Sequence, residues 1–203
     1  MVEISAALVK QLRDATGAGM MDCKNALAAA DGDLDRAAEI LREKGLASAA
    51  KRADRAADQG RIDSYIHFNT TVGVLVEVNC ETDFVAKTDE FGQAVKDVAL
   101  HIASPAAPSY LSRDDVPDDV VDAERRIAEV QAREQGKPDH VVPRIVEGKV
   151  EAFYKDHVLL EQAYVKDDSK TIRQLLDEVG AKLGEKVVVR RFVRYKLGEG
   201  ESE

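Results

Sequence analysis

The sequence predicts an α+β protein, in which a helical N-terminal segment precedes an antiparallel sheet packed with helices. Apolar residues recur at helical spacing through residues 1–45, which predicts a bundle of short helices. From residue 61 the pattern changes to alternation, and two β-rich runs separated by Asn69-Thr70-Thr71 predict a hairpin. An apolar stripe then runs from Phe84 to Ile102 at spacings of three and four, which predicts a helix directly after the hairpin.

Three short helices are predicted within residues 1–45. The turn T-G-A-G ends the first helix, because its glycines permit a positive φ, and Gly45 ends the third. Helices joined by such short connections form a compact bundle, which resembles a ubiquitin-associated domain. Residues 46–60 are rich in alanine and charge, so we expect a solvent-exposed linker helix there.

Residues 61–197 are predicted to form the α+β core. The run 72–79 is apolar and β-branched, so we expect a strand that is buried on both faces. The helix after it is predicted from Thr82 to about Ala103. The remaining predicted elements are helices at about 118–135, 138–155 and 172–182, strands at about 158–165 and 186–197, and a disordered polar tail at 198–203.

Composition excludes several classes of protein. Hydrophobic residues make up 44% of the 203 residues and charged residues 33%, which suits a packed core with a well-solvated surface. The net charge of −9 argues against a general nucleic-acid binder. Cys23 and Cys80 lack paired spacing, which indicates a reducing compartment. No signal peptide or stretch of transmembrane length is apparent, so we expect a cytoplasmic protein without membrane contact.

The junction between the strand at 72–79 and the following helix is the strongest candidate for a functional site. Thr82 occupies the position of an N-cap, and Asp83 follows in the first turn, where a carboxylate interacts favourably with the helix dipole. We refer to residues 82–85, Thr-Asp-Phe-Val, as the TDFV turn. A side chain at such a turn is held at the edge of a rigid element, which suits recognition.

Two motifs carry a resemblance to a known family. The run E-V-N-C-E-T-D-F-V-A-K at 77–87 and the run T-G-A-G-M-M-D-C-K-N-A-L at 16–27, preceded by Leu12-Arg13, resemble the signatures of elongation factor Ts. That family promotes guanine-nucleotide exchange on the GTPase elongation factor Tu. The resemblance implies a binding protein without catalytic residues, cofactor or metal, whose partner is elongation factor Tu, best bound in its nucleotide-free state. With one sheet and one helical insertion, the chain resembles the family's short form, which implies a homodimer formed through the core at 61–197.

The resemblance also implies two sets of contact residues. Phe84 would insert into the GTPase beside Asp83, although its spacing to Thr88 and Phe91 on pattern alone favours a core position. The implied residues of the exchange motif are Asn79, Cys80, Thr82, Asp83, Phe84 and Val85. Those of the N-terminal bundle are Arg13, Met20, Met21 and Lys24, where the methionines would otherwise be core residues.

Alternative functions rest on weaker signals. Cys80 with a histidine could form a nucleophile and base, but the cysteine ends a buried strand and lacks an orienting group. The four histidines have no metal-ligand spacing. The basic run 186–196 resembles an RNA-binding strand. Its alternation, which puts Val187, Val189, Val193 and Tyr195 on one face, and the negative net charge favour a sheet strand whose arginines pair with acids. An isolated ubiquitin-binding function of the N-terminal bundle would leave the 77–87 motif unexplained.

Overall fold

The computed structural model of the chain describes residues 4–199, apart from the side chain of residue 46. Within this range it contains eight α-helices and five β-strands, and this mixture confirms the α+β class. The helices are α1 Ala6–Thr16, α2 Met20–Ala29, α3 Leu34–Arg52, α4 Asp83–Ala86, α5 Asp89–Ala103, α6 Asp118–Glu134, α7 Val142–His157 and α8 Ile172–Leu183. The strands are β1 Gln59–Ile66, β2 Val72–Cys80, β3 Ala163–Tyr164, β4 Asp167–Thr171 and β5 Val188–Lys196.

The chain divides into two compact units, each assembled from separate segments. The first unit runs to Arg61 and adds Val78–Ala94 and Leu176–Val188. The second consists of Ile62–Glu77, Val95–Leu175 and the chain from Val189 onward. The TDFV turn and the N-terminal helices therefore belong to the same unit. The division into an N-terminal bundle, a linker and a core remains a prediction.

Helices α1 to α3 of the first unit pack around a small apolar core. Ser5 caps α1 by accepting from the Leu8 N–H at 3.2 Å. Gly17 ends α1 with a φ of 69°, as the glycine turn in the sequence predicts. Gly45 does not end α3, which continues to Arg52 because the alanine-rich segment after it favours helix. Buried side chains of this core are Val9, Leu12, Cys23, Ala26, Leu27, Ala30 and Ala37.

The main sheet has three strands in the order β1-β2-β5. The hairpin between β1 and β2 is confirmed, since the His67 N–H donates to the Val72 carbonyl at 2.9 Å. The Leu197 N–H donates to the Thr71 carbonyl at 2.8 Å, so the end of β5 lies beside the start of β2 and the two strands are antiparallel. The prediction that β2 is buried on both faces is wrong. Its burial alternates, and Leu75 is 48% exposed.

The second unit contains the helical hairpin α6–α7, close to the predicted positions. Pro143 lies in the first turn of α7, where a missing N–H has no cost. The strand predicted at 158–165 is wrong for most of its length, because Leu159–Glu161 forms a 3-10 turn before the two-residue β3. Strand β4, which pairs antiparallel with β3, was not predicted because its sequence is polar. The predicted tail at 198–203 falls outside the described residues from 200 onward.

Candidate functional site

The TDFV turn forms a separate single-turn helix. Thr82 is its N-cap, as predicted, with φ −126° and ψ 154°, and the Thr82 Oγ1 accepts from the Val85 N–H at 3.3 Å. The single helix predicted from Thr82 to Ala103 is wrong, since α4 stops at Ala86 and α5 begins at Asp89. Thr88 explains the break, because its Oγ1 donates to the Val85 carbonyl at 2.8 Å and accepts from the Phe91 N–H at 3.2 Å. Thr88 thus closes one helix and caps the next.

This break separates two phenylalanines that the sequence pattern placed on one stripe. Phe91 on α5 is fully buried, whereas Phe84 on α4 is 79% exposed. The interpretation of Phe84 as a core residue is therefore wrong, because that stripe required one continuous helix. A large apolar side chain that remains exposed on a short, capped turn is typical of a contact residue.

Asp83 is engaged with its own helix. The Lys87 ammonium donates to Asp83 Oδ2 at 2.6 Å, and both side chains are about half exposed or more. This lysine, followed by the N–H groups at the start of α4, lowers the pKa of Asp83 below its usual value. The carboxylate is therefore ionised at neutral pH, and part of its hydrogen-bonding capacity remains available to a partner.

Glu185, which was not among the predicted site residues, holds the segment before Asp83. Glu185 Oε2 accepts from the N–H groups of Glu81 and Thr82, both at 3.0 Å, and Glu185 Oε1 accepts from Thr82 Oγ1 at 2.6 Å. In return, Glu81 Oε1 accepts from the Lys186 N–H at 2.7 Å, which is the main cause of a lowered Glu81 pKa. No local signal could have revealed this pairing, because the two segments lie 103 to 105 positions apart.

Cys80 supports this segment from inside. The side chain is fully buried, and its Sγ donates to the Thr82 carbonyl at 3.2 Å. Burial, and then the charge of Glu185, raise the pKa of the thiol to about 11. The thiol therefore stays protonated at neutral pH, which argues against a nucleophile. Asn79 and Val85, the other predicted members of the motif, are half-buried.

The predicted contact residues of the N-terminal bundle all lie at its surface. Met20 and Met21 open α2 and are 57% and 65% exposed, so their interpretation as core residues is wrong. Arg13 at the end of α1 and Lys24 on α2 are also exposed. The bundle thus presents two methionines and two cations on the helices that flank its glycine turn.

Comparisons with known proteins agree with the two motifs. The family model described as Elongation factor TS matches residues 5–199, nearly the whole chain. The chain belongs to the elongation factor Ts family. Elongation factor Ts of Thermoanaerobacter sp. (strain X514) is 59% identical over 197 residues, which cover 97% of this chain and 96% of that protein. Elongation factor Ts of Coprothermobacter proteolyticus is 58% identical over 198 residues, which cover 98% and 100%.

Membership of the elongation factor Ts family places the chain among the translation elongation factors of protein biosynthesis. In the described part of the chain, no helix has the length and apolarity needed to cross a membrane. The same residues contain no cluster of three or more side chains suited to hold a metal ion.

The basic strand β5 is engaged with acids of the protein itself. Arg191 pairs with Glu77 at 2.7 Å, and Arg194 pairs with Glu199 at 2.5 Å. These contacts favour the interpretation of residues 186–196 as a sheet strand over an RNA-binding strand. Along the face predicted to carry the apolar residues of this strand, Val189 is buried whereas Tyr195 is 73% exposed.

Proposed function

We propose that this protein binds elongation factor Tu in the cytoplasm and promotes the release of its GDP. The observation that carries this proposal is the exposed Phe84 ring, which is 79% accessible on a capped turn within the family's own signature. An apolar ring that is exposed to solvent, and whose backbone is held in a capped helical turn, is suited to insertion into a partner.

The proposed mechanism requires no covalent chemistry. GTPases hold GDP mainly through backbone donors, a lysine and Mg²⁺ at the phosphates. Insertion of Phe84 displaces the elements that carry those groups, so the nucleotide dissociates faster. No bond in the protein or the nucleotide changes, which is why we propose an exchange factor rather than an enzyme and assign it no cofactor or metal of its own.

Asp83 is proposed to assist through hydrogen bonding. Its carboxylate is already partly committed to Lys87 and to the start of α4, and a single such carboxylate competes poorly for a Mg²⁺ held by phosphate oxygens. Its remaining lone pairs suit N–H donors of the GTPase. Thr82, Asn79, Cys80 and Val85 would act through the conformation of the turn.

Helices α1 to α3 are proposed to form a ubiquitin-associated-like domain that docks on the GTPase. Exposed methionines adapt to irregular apolar surfaces, and Arg13 and Lys24 would add charge pairing around Met20 and Met21. Docking through one surface raises the effective concentration of the TDFV turn at another, without contributing to displacement of the nucleotide.

Thermodynamic linkage then determines which state of the GTPase binds best. A factor that weakens GDP binding by some ratio is itself weakened by GDP in the same ratio. The protein is therefore proposed to bind nucleotide-free elongation factor Tu most tightly and to leave when nucleotide rebinds. It changes the rate of exchange and leaves the final distribution of GDP and GTP unchanged.

A homodimer is the proposed assembly, formed through the open face of the sheet in the second unit. Ile62, Ile66, Leu75, Val193 and Tyr195 are 38 to 73% exposed, and alternation places them opposite the buried valines of β2. A second copy of the chain would cover such an apolar patch. Sedimentation velocity should show a dimer that Leu75→Glu dissociates; a monomeric wild-type protein at micromolar concentration would exclude it.

Complex formation tests the proposed function against its alternative, an RNA-associated protein that uses residues 186–196. Gel filtration with elongation factor Tu should show a complex that excess GDP disperses. Binding to an RNA oligonucleotide should be negligible at physiological salt. A complex with RNA whose affinity falls steeply with salt, and none with the GTPase, would favour the alternative.

A further inference from the structure

We propose that Glu185 is a positioning residue, which holds the TDFV turn in the conformation that presents Phe84. The inference rests on the proposed function and adds to it a residue outside both sequence signatures. Glu185 lies just after α8, 103 positions from Thr82. It contacts neither Asp83 nor Phe84 in the hydrogen bonds described above, so any effect on exchange passes through Thr82.

The Glu185 carboxylate fixes Thr82 at each of its donor groups. One oxygen accepts from the Thr82 N–H at 3.0 Å and the other from Thr82 Oγ1 at 2.6 Å. Because the Thr82 hydroxyl donates its single O–H to Glu185, its lone pairs remain to accept from the Val85 N–H. The carboxylate therefore selects the rotamer of Thr82 that caps α4. Both of these bonds are charge-assisted, which makes them stronger than neutral ones.

The contact is reciprocal, so it constrains two segments at once. Glu185 accepts from the Glu81 N–H, and the Glu81 carboxylate accepts from the Lys186 N–H and pairs with Arg55 at 3.2 Å. Lys186 Nζ in turn donates to the carbonyls of Ala53 and Arg55, at 2.6 and 3.0 Å. These contacts, all within the first unit, connect the TDFV turn to the end of α3.

The turn needs such support because it is too short to hold itself. Helix α4 has only four residues, and an isolated helix of that length is unstable in water. The donors that Glu185 binds lie near solvent, where water would replace the carboxylate if it were removed. Loss of Glu185 should therefore leave the fold largely intact and allow the Phe84 ring to sample other orientations.

The test compares Glu185→Ala and Glu185→Gln with Glu134→Gln, which removes an exposed carboxylate from the end of α6. The maximal rate of GDP release from elongation factor Tu should fall about tenfold in Glu185→Ala, the size expected for lost charge-assisted bonding, and less in Glu185→Gln. The half-saturating concentration should stay within about twofold, since the docking surface is unchanged. The control should match the wild type in both quantities.

Two readouts separate positioning from a merely structural role. The double variant Glu185→Ala with Phe84→Ala should be no slower than Phe84→Ala alone, because Glu185 acts through the ring. The amide hydrogens of Glu81 and Thr82 should exchange with solvent at least tenfold faster in Glu185→Ala. Additive losses, a wild-type release rate in Glu185→Ala, or a loss that follows the unfolded fraction would overturn the proposal.

Failure of the proposed function would look different. The wild-type chain would then leave GDP release unchanged, and the amide measurement alone would decide whether Glu185 holds the turn. Unchanged protection of the Glu81 and Thr82 amides in Glu185→Ala would overturn the positioning role in that case as well.

Discussion

Replacing Phe84 by alanine should abolish most exchange activity at almost no cost in stability. Full burial of a phenylalanine side chain contributes about 1.5–3 kcal/mol to the free energy of unfolding. Because Phe84 is 79% exposed, its replacement by alanine should lower that free energy by only about a fifth of this, ~0.3–0.6 kcal/mol. In a protein of this size, 1 kcal/mol corresponds to about 2–4 °C, so we expect the Tm to fall by only about 1–2 °C.

Phe91 supplies the matched control on the adjacent helix. It is fully buried, and truncation of a buried phenylalanine to alanine costs about 3–5 kcal/mol, or about 6–20 °C in Tm. The two substitutions remove the same atoms from positions only seven residues apart. A large difference in their thermal stability would show that exposure rather than residue type determines the effect.

Activity should follow the opposite order. An aromatic residue at the centre of an interface typically contributes about 2 kcal/mol or more, so Phe84→Ala should slow stimulated GDP release about 30-fold. Phe91→Ala, measured below its own Tm, should lose activity only in proportion to its unfolded fraction. Circular dichroism melts and release of fluorescent GDP from elongation factor Tu give both quantities. If Phe84→Ala melted many degrees lower and its activity tracked folding, the contact role of Phe84 would be refuted.

Three further predictions concern other parts of the chain. Asp83→Asn should retain much of the exchange activity and Asp83→Ala less; equal inactivity, with excess Mg²⁺ suppressing the wild type far more than either variant, would instead indicate competition for the metal. A fragment of residues 1–55 should fold but promote little exchange, whereas a fragment of residues 56–203 should need a higher concentration than the full chain to reach the same rate of GDP release. If the 56–203 fragment were as active as the full chain at low concentration, the bundle would be dispensable. Burial lowers the pKa of His101 although its Nε2–H donates to Gln162 Oε1 at 2.9 Å, so His101 stays neutral in the folded protein at a pH where it binds a proton in the unfolded chain. The free energy of unfolding should therefore fall as the pH drops below about 6.5, and urea midpoints at pH 7.5 and 5.5 should show a smaller fall in His101→Gln; an unchanged fall would refute this.

Local signals in the sequence predicted much of the fold. The N-cap at Thr82, the glycine at the end of α1 and the hairpin of β1 and β2 all depend on residues a few positions apart. Strand β4 was missed because its sequence, DDSKT, is polar, and only its pairing with β3 makes it a strand. Tertiary pairing of this kind overrides local propensity.

In the candidate site too, local signals in the sequence predict some features and miss those that depend on tertiary contacts. Thr88-Asp89-Glu90 is itself an N-cap followed by two acidic residues, a signal that would have split the predicted helix and left Phe84 outside the core stripe. Glu185, in contrast, carries no local signal, because its partners at 81 and 82 are brought to it only by the fold. The residues that present the ring could be predicted, whereas the residue that holds them could not.

The exchange function can be measured as the rate of GDP dissociation from elongation factor Tu, by stopped flow with substoichiometric amounts of this protein. The rate should rise in proportion to the added protein while the final amount of bound nucleotide stays the same. Phe84→Ala should remove most of this acceleration. An unchanged rate at concentrations where the complex forms, or a wild-type rate in Phe84→Ala, would contradict the proposed function.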